Sequence, residues 1–377
     1  MAQRKFPAVF MRGGTSKAIL FHARDLPPAR ADWDAIFLSA MGSPDPHGRQ
    51  LDGMGGGISS LSKVCVIAPS QRADADVDYT FAQVQIKEAR VDYGSNCGNM
   101  SSAIGPFALE EGLLAAAEGN TTVRIFNTNT RKIIHSTFGV SGGRARVEGE
   151  LAIPGVAGTG APIRLDFLEP GGATTGKLLP SGRALDQLEV PGFGRIEVSM
   201  VDAANACVFL AATALGLRGT EMPDELERNT ALLQKLAAIR LHASVAMGIA
   251  RSLDEARART AVPFIGFVSP AQDARTLAGE KLDAAAADLT LRMLSNDQPH
   301  RALPLTASLC AAVAARIEGS VVWQAVRREA GGTLRLAMPS GVLTVGAETS
   351  CIGGAWRAAR GSFYRTARRL FEGHVYA

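Results

Sequence analysis

Asp92-Tyr-Gly-Ser-Asn-Cys-Gly-Asn-Met-Ser-Ser-Ala-Ile-Gly-Pro-Phe-Ala-Leu109 is the stretch on which the reading of this chain turns. A strand-like run over 81–91 leads into it, and Gly94-Ser95-Asn96 reads as a turn. The small and apolar residues that follow, up to Gly112, predict a buried helix. Cys97 therefore lies close to a helix N-terminus. Free backbone N–H groups there, with the positive end of the helix dipole, favour a thiolate and bind carboxylates. A free cysteine is as readily a small apolar residue of a core, and spacing alone leaves both readings open.

Upstream, 6–12 and 18–21 predict two strands joined through Gly13-Gly14-Thr15-Ser16. The glycines allow positive φ or close approach of the backbone to a ligand. The hydroxyls of Thr15 and Ser16 could hold a carboxylate or simply close a hairpin. A short helix is expected over 27–41, with Trp33, Ile36, Phe37 and Met41 along one side. The Gly-rich segment 44–62 reads as a long loop, and such loops inside compact domains are usually functional or disordered. Its Gly53-Met54-Gly55-Gly56-Gly57 lacks the spacing and the preceding strand of a dinucleotide fingerprint. Lys63 follows, at the start of a strand over 64–68. A lysine there is commonly a solvated surface charge. Between a Gly-rich loop and Val64-Cys65-Val66-Ile67, however, its amine could be desolvated and its pKa lowered, the condition a lysine base needs.

Downstream, strands are expected over 122–127 and 132–136, about the polar turn Thr128-Asn129-Thr130. Gly171 to Lys177 matches part of a phosphate loop, but Leu178 stands where the Mg²⁺-binding hydroxyl belongs and no helix follows. The second half begins near Leu185. It offers strands at 197–202, 206–211 and 263–268, a helical stretch over 224–247, and another short element at 288–294. Ser295-Asn296-Asp297-Gln298-Pro299-His300 then turns into an Ala-rich helix over 304–317. A strand, a polar turn and a buried small-residue helix thus occur twice, near 97 and near 305. A hairpin over 334–348 and a last strand pair, 356–366 and 369–376, end the chain. His135 and His242 read as structural histidines.

At 377 residues the chain suits two domains. A formal charge of +4, spread out without a basic block or aromatic-basic interleaving, does not suggest a nucleic-acid protein and only mildly favours an anionic substrate. Five cysteines, at 65, 97, 207, 310 and 351, form no CxxC and suit reduced thiols in the cytoplasm. Neither a signal peptide nor a membrane span is expected. HExxH, clustered His/Cys and G-x-S-x-G are all missing from the sequence, which argues against a metal and a nucleophile elbow. One amine, one thiol and two helix N-termini remain. That set suits proton transfer beside a carboxylate, with the charge of a delocalised dienolate held by N–H groups and hydroxyls.

Asn96-Cys97-Gly98-Asn99, with Gly105-Pro106-Phe107-Ala108, resembles the PrpF family, whose members isomerise 2-methylaconitate and related unsaturated polycarboxylates. Arg12-Gly13-Gly14-Thr15-Ser16-Lys17 is similar to that family's N-terminal motif. Gly42-Ser43-Pro44-Asp45-Pro46 and Gln50-Leu51-Asp52-Gly53-Met54-Gly55-Gly56 are similar to its next blocks, and Ser62-Lys63 to its lysine motif. The resemblance continues at lower density through Asn127-Thr128-Asn129, 202–209 and 365–375, and covers essentially the whole chain.

The resemblance implies an α+β fold like diaminopimelate epimerase: two similar domains, each a mixed sheet curled around a central helix, with the site between them. The expected division is 1–184 and 185–377, with the terminal strand able to cross to the first domain. It implies that Lys63 stands beside Cys97, where a two-thiol racemase would have a second cysteine. The second turn offers His300, Leu305, Thr306 and Ala307 instead, and Cys310 lies too far along its helix. The expected activity is cofactor-independent isomerisation of an unsaturated di- or tricarboxylate. It is cis–trans isomerisation of 2-methylaconitate or a close relative, or a 1,3-allylic proton shift. Lys63 is expected as principal acid/base, and Cys97 as its partner or as a positioning group. Thr15, Ser16, Asn96, Gly98 and Asn99 are expected to bind substrate from the first domain, and Ser295, His300 and Thr306 from the second. The alternatives are a 4-oxalomesaconate-type tautomerase and a non-catalytic polycarboxylate-binding protein. Tautomerase-like members tend to have Thr-Pro before the Asn-Cys-Gly-Asn motif, where this chain has Gly94-Ser95. A small polycarboxylate is the expected partner, without metal, nucleic acid or membrane; a homodimer is left open.

Overall fold

Gly13 and Gly14 bring the first hairpin against the central helix of its unit. In the computed structural model, which describes residues 3–94, 96–259, 262–295, 298–327 and 332–377, Lys5–Gly13 pairs antiparallel with Ser16–His22. Gly14 has φ +50°, and a Cβ there would lie 2.2 Å from Asn99 Oδ1. A Cβ on Gly13 would lie 2.7 Å from the Asn99 carbonyl. Only glycine permits so close an approach. The turn residues Ser95, Asn296 and Asp297 lie outside the described residues.

Contacts divide the chain into two units: 1–166 with 364–377, and 167–363. The expected line at 184/185 falls inside the second of these. In the first unit Ser16–His22 runs parallel to Lys63–Pro69 across the helix Trp33–Met41. Lys63–Pro69 is antiparallel to Val77–Val84, which runs parallel to Gly119–Asn127 across the helix Gly98–Glu110. Gly119–Asn127 is antiparallel to Lys132–Ser141. Every residue of Gly98–Glu110 is buried except Asn99 and Glu110, so this is the central helix. Gly105 lets it sit tight, since a Cβ there would meet Phe138 and Ser136 at 2.7 Å.

The second unit repeats this order. Gly194–Ala203 is antiparallel to Asn205–Ala211, and that strand is parallel to Phe264–Pro270. Phe264–Pro270 is antiparallel to Leu289–Ser295, which is parallel to Thr333–Met338, itself antiparallel to Gly341–Ile352. The crossover helices are Thr230–Ala246 and the central, buried Leu305–Ala314.

Details repeat too. Asp76 accepts from the Arg124 backbone N–H at 2.8 Å and from its guanidinium, and Arg124 Nη1 donates to the Ala73 carbonyl. Asp288 accepts from the Arg335 N–H at 2.8 Å and from its guanidinium, and Arg335 Nη1 donates to the Ala285 carbonyl. At the central helices, Ser101 Oγ donates to the Cys97 carbonyl, and Ser308 Oγ to that of Pro304. The mixed strand set of each unit, with its central helix, makes an α+β fold of duplicated plan.

Three expectations change. The stretch 224–247 breaks into Pro223–Arg228 and Thr230–Ala246, because Asn229 accepts from Leu232 N–H and caps the second helix. The strand read over 81–91 is Val77–Val84 followed by the short Val91–Asp92. The last two strands form but do not pair with each other. Ala355–Arg365 pairs with Gly341–Ile352, and Ala367–Tyr376 with Lys5–Gly13, so the chain ends in the unit where it began. No described helix is long and apolar enough to cross a membrane.

Candidate active site

Alternation along Lys63–Pro69 decides what faces the central helix. Val64 and Val66 join Ala82 and Val84 in packing on Ile36, Phe37 and Met41 of the outer helix. The period of two turns Lys63 and Cys65, with their cross-strand partners Gln83 and Phe81, to the other face. Lys63 is only 7% exposed. Its Nζ donates to Gln83 Oε1 and lies 5.0 Å from the Phe81 ring centre. Gln83 Nε2 donates to the carbonyls of Ser62, at 2.8 Å, and Ser59, at 3.1 Å. The Gly-rich loop before Lys63 is held by Gln50, whose amide donates to Ser43 Oγ and Ser62 Oγ and accepts from Gly57 N–H.

Cys97 is the N-cap residue of Gly98–Glu110, half-buried, with no side-chain cap hydrogen bond. Ser101 N–H makes the first intrahelical bond, to the Cys97 carbonyl at 3.0 Å. The N–H groups of Gly98, Asn99 and Met100 precede it and belong to the helix's donor end. Burial pushes the Cys65 thiol up, Cys97 adds to this, and Tyr79 and Lys63 oppose it. Burial likewise raises the Tyr79 hydroxyl, with Cys65 and Cys97 adding to the rise. Cys65 donates to Tyr79 Oη at 3.8 Å, so both stay protonated near neutral pH. Lys63 and Cys97 thus both act electrostatically on Cys65, and Cys97 also on Tyr79.

Around the helix end, Asn99 Oδ1 accepts from Thr15 N–H at 3.3 Å and from Arg365 Nε at 3.2 Å. Burial lowers the Arg365 guanidinium to about 9, still protonated near neutral pH. Asn96 Oδ1 accepts from Ser101 Oγ and from Asn127 Nδ2, each at 3.3 Å. Asn129 bonds both backbone groups of Phe81 and the carbonyl of Tyr93. Ser16 is buried at the foot of the hairpin. The first unit thus brings together Thr15, Asn96, Gly98 and Asn99 about the helix end that carries Cys97, with buried Ser16 next in the hairpin, opposite Gly13.

Ser295, His300 and Thr306 form a separate group in the second unit. Ser295 Oγ hydrogen-bonds His300 Nε2 at 2.7 Å, and burial lowers the His300 pKa, which favours neutral imidazole. Thr306 is the second residue of Leu305–Ala314 and is half-buried. Cys310 is fully buried, with its thiol on the Val201 carbonyl at 3.3 Å. The phosphate-loop look-alike has a structural explanation. The N–H groups of Thr174 and Thr175 and the Thr175 hydroxyl all donate to Asp202 Oδ2. Among the described residues, no group of three His, Cys, Asp or Glu side chains is placed to hold a metal ion.

Sequence reasoning missed Gln83, Tyr79 and Arg365. Gln83 is legible once the strands Lys63–Pro69 and Val77–Val84 are set in register. Nothing local connects Arg365 to Asn99.

The family profile described as "PrpF protein" matches residues 3–377. The chain is 41% identical to a 3-methylitaconate isomerase of Eubacterium barkeri over 99% of this chain and 97% of that one. It is 38% identical to a 2-methyl-aconitate isomerase of Shewanella oneidensis, with the same coverage. The crystal structure of a methylitaconate-delta-isomerase superposes with a TM-score of 0.92 at 41% identity, over 100% of this chain and 96% of that one. That of a hydroxyproline epimerase from Agrobacterium vitis, 12% identical with a TM-score of 0.50 over 99% and 93%, shares the fold.

Proposed function

The chain belongs to the PrpF family, and from that premise and the geometry around Lys63 we propose that it isomerises an unsaturated di- or tricarboxylate by proton transfer, with no cofactor. The observation that carries this is a buried lysine amine and a half-buried thiol at a helix N-terminus, each of which acts electrostatically on the Cys65 thiol.

Neutral Lys63 takes a proton from the carbon alpha or gamma to a conjugated carboxylate. The electron pair of that C–H bond spreads into the carboxylate as a dienolate. The N–H groups at the start of Gly98–Glu110, the Thr15 and Ser16 hydroxyls and the Arg365 charge stabilise it. The proton then returns. Delivery to the original carbon after bond rotation gives cis–trans isomerisation; delivery to the far end of the allyl system gives a 1,3-shift. Lys63 serves as principal acid/base. Cys97 positions the substrate or supplies the second proton. Asn96 and Asn99 shape the helix end, and Ser295, His300 and Thr306 are the second unit's binding groups. Thiols such as Cys97 stay reduced in the cytoplasm, where this reading places the enzyme.

2-Methylaconitate is the first substrate to try. The 41% relative, named for 3-methylitaconate, favours the allylic shift as second reading. Proton NMR in D₂O with methylaconitate, aconitate, methylitaconate and oxalomesaconate tests the proposal. Solvent deuterium should enter the isomerised ligand. Binding of every candidate without deuterium entry would make this a polycarboxylate-binding protein.

A further inference from the structure

We propose that Gln83 is the positioning residue of Lys63: it fixes where the amine points and sets how tightly it holds its proton. The inference rests on the reading of Lys63 as acid/base, and extends it to a side chain on the neighbouring strand.

Register supplies the first reason. Val84 N–H donates to the Ser62 carbonyl at 3.1 Å, which makes 62 and 84 a hydrogen-bonded pair. Lys63 and Gln83, the next pair along, are then directly opposite in the closer, non-hydrogen-bonded geometry, with both side chains on the face of the central helix.

Donor and acceptor chemistry supplies the second. An ammonium only donates, and a backbone carbonyl only accepts. The Gln83 amide meets one amine donor, Lys63 Nζ, and two carbonyls, those of Ser59 and Ser62. Only one orientation satisfies all three, with Oε1 towards Lys63 and Nε2 towards the carbonyls. The amide cannot flip without setting its oxygen against both carbonyls. Ser59 belongs to the turn that closes the Gly-rich loop, and Ser62 is gripped by Gln50, so the acceptor is anchored to the loop that leads into Lys63.

The neutrality of the acceptor supplies the third. A carboxylate here would hold the lysine protonated, whereas an apolar side chain would leave a buried ammonium with one acceptor fewer. An amide lies between these limits. It accepts one N–H of the charged form, yet lets the proton leave at modest cost, as a group that both takes and returns a proton requires.

The test uses Gln83→Glu and Gln83→Met in the full chain. The proton affinity of Lys63 is read by the pH dependence of its acetylation, followed by mass spectrometry, and kcat/KM is measured over the same pH range. Both substitutions lose the donation to Ser59 and Ser62, so a merely structural role predicts similar losses of stability and no opposed change in Lys63. The positioning role predicts opposite shifts. The Lys63 titration should rise by about one pH unit or more with Glu and fall with Met, and the acidic limb of kcat/KM should follow. At its own optimum Gln83→Met should lose about 10²-fold in kcat through misplacement of the amine. A titration that stays put, or moves the same way in both variants, overturns the inference. Acetylation reads Lys63 whether or not it is catalytic, so the two ideas fail separately: opposite titration shifts with an unmoved kcat/KM limb, or full turnover by Lys63→Ala, would strike the role of Lys63 and leave the effect of Gln83 on it standing.

Discussion

Replacing Lys63 with alanine should remove nearly all turnover while leaving the fold in place. An alanine offers no proton acceptor, and losing a positioned acid/base group costs about 10²–10⁴-fold, or roughly 2.7–5.4 kcal/mol of barrier at 1.36 kcal/mol per tenfold. The effect on stability is smaller because opposing contributions meet at this side chain. The contact with Phe81 and the hydrogen bond to Gln83 each contribute about 0.5–2 kcal/mol. Against them stands the desolvation of an amine that is only 7% exposed. The net change should lie within about 2 kcal/mol, well below the loss in rate. The assay pairs turnover, followed by proton NMR in D₂O, with a urea unfolding curve for each protein. The variant should unfold near the wild-type midpoint and show neither product nor deuterium in the substrate. A folded Lys63→Ala protein whose kcat stays within about threefold of wild type on every accepted substrate would refute the assignment.

Cys97 separates into two roles by substitution. If it positions substrate or stabilises charge, Cys97→Ser should keep much of the rate and Cys97→Ala lose more; a Cys97→Ser enzyme that exchanges substrate protons but forms no product would show that Cys97 delivers the second proton. Gly14→Ala should destabilise by about 1–3 kcal/mol, since φ is +50° and the new Cβ meets Asn99 Oδ1; urea midpoints read this, and KM should rise as Asn99 is displaced. Burial alone would raise Asp76 and Asp288, but hydrogen bonds from Arg124 and Arg335 outweigh it and hold both carboxyls below the ordinary range. A carboxyl lowered on folding stabilises above its unfolded value near 4 and loses that contribution as pH falls through the folded one. Urea midpoints should therefore drop below about pH 4, and less steeply in Asp76→Asn/Asp288→Asn; equal slopes would refute the argument.

The duplicated plan also lets equivalent positions of the two units be compared. Counted along their strands from Asp76 and Asp288, Gln83 and Ser295 are the same position. Extending the register Ile265↔Leu294 by one residue sets Phe264 opposite Ser295, where the first unit has Lys63 opposite Gln83. Pro304 stands at the N-cap in place of Cys97. The amine and the thiol thus belong to one copy. The other has the Ser295–His300 hydrogen bond and the N-terminus of Leu305–Ala314 at its end of the plan.

Much of this was determined by the sequence alone. The small and apolar residues after the turn, up to Gly112, read as a buried helix, and Gly98–Glu110 is that helix. Gly13-Gly14 had to mark a tight turn or a close approach, and structure shows both, since glycine alone lacks the Cβ that would strike Asn99. The motifs around Lys63 and Cys97 carried the family. What tertiary structure decided was pairing across distance. The choice of Gln83 as partner of Lys63 depends on antiparallel register. Arg365 reaches Asn99 only because the chain returns to its first unit after Phe363. The terminal strand found Lys5–Gly13 and not its neighbour in sequence. Local composition sets periodicity and turns, which depend on nearby residues. Register, return and the burial of one lysine depend on which distant surfaces exclude water together, and no local pattern encodes that.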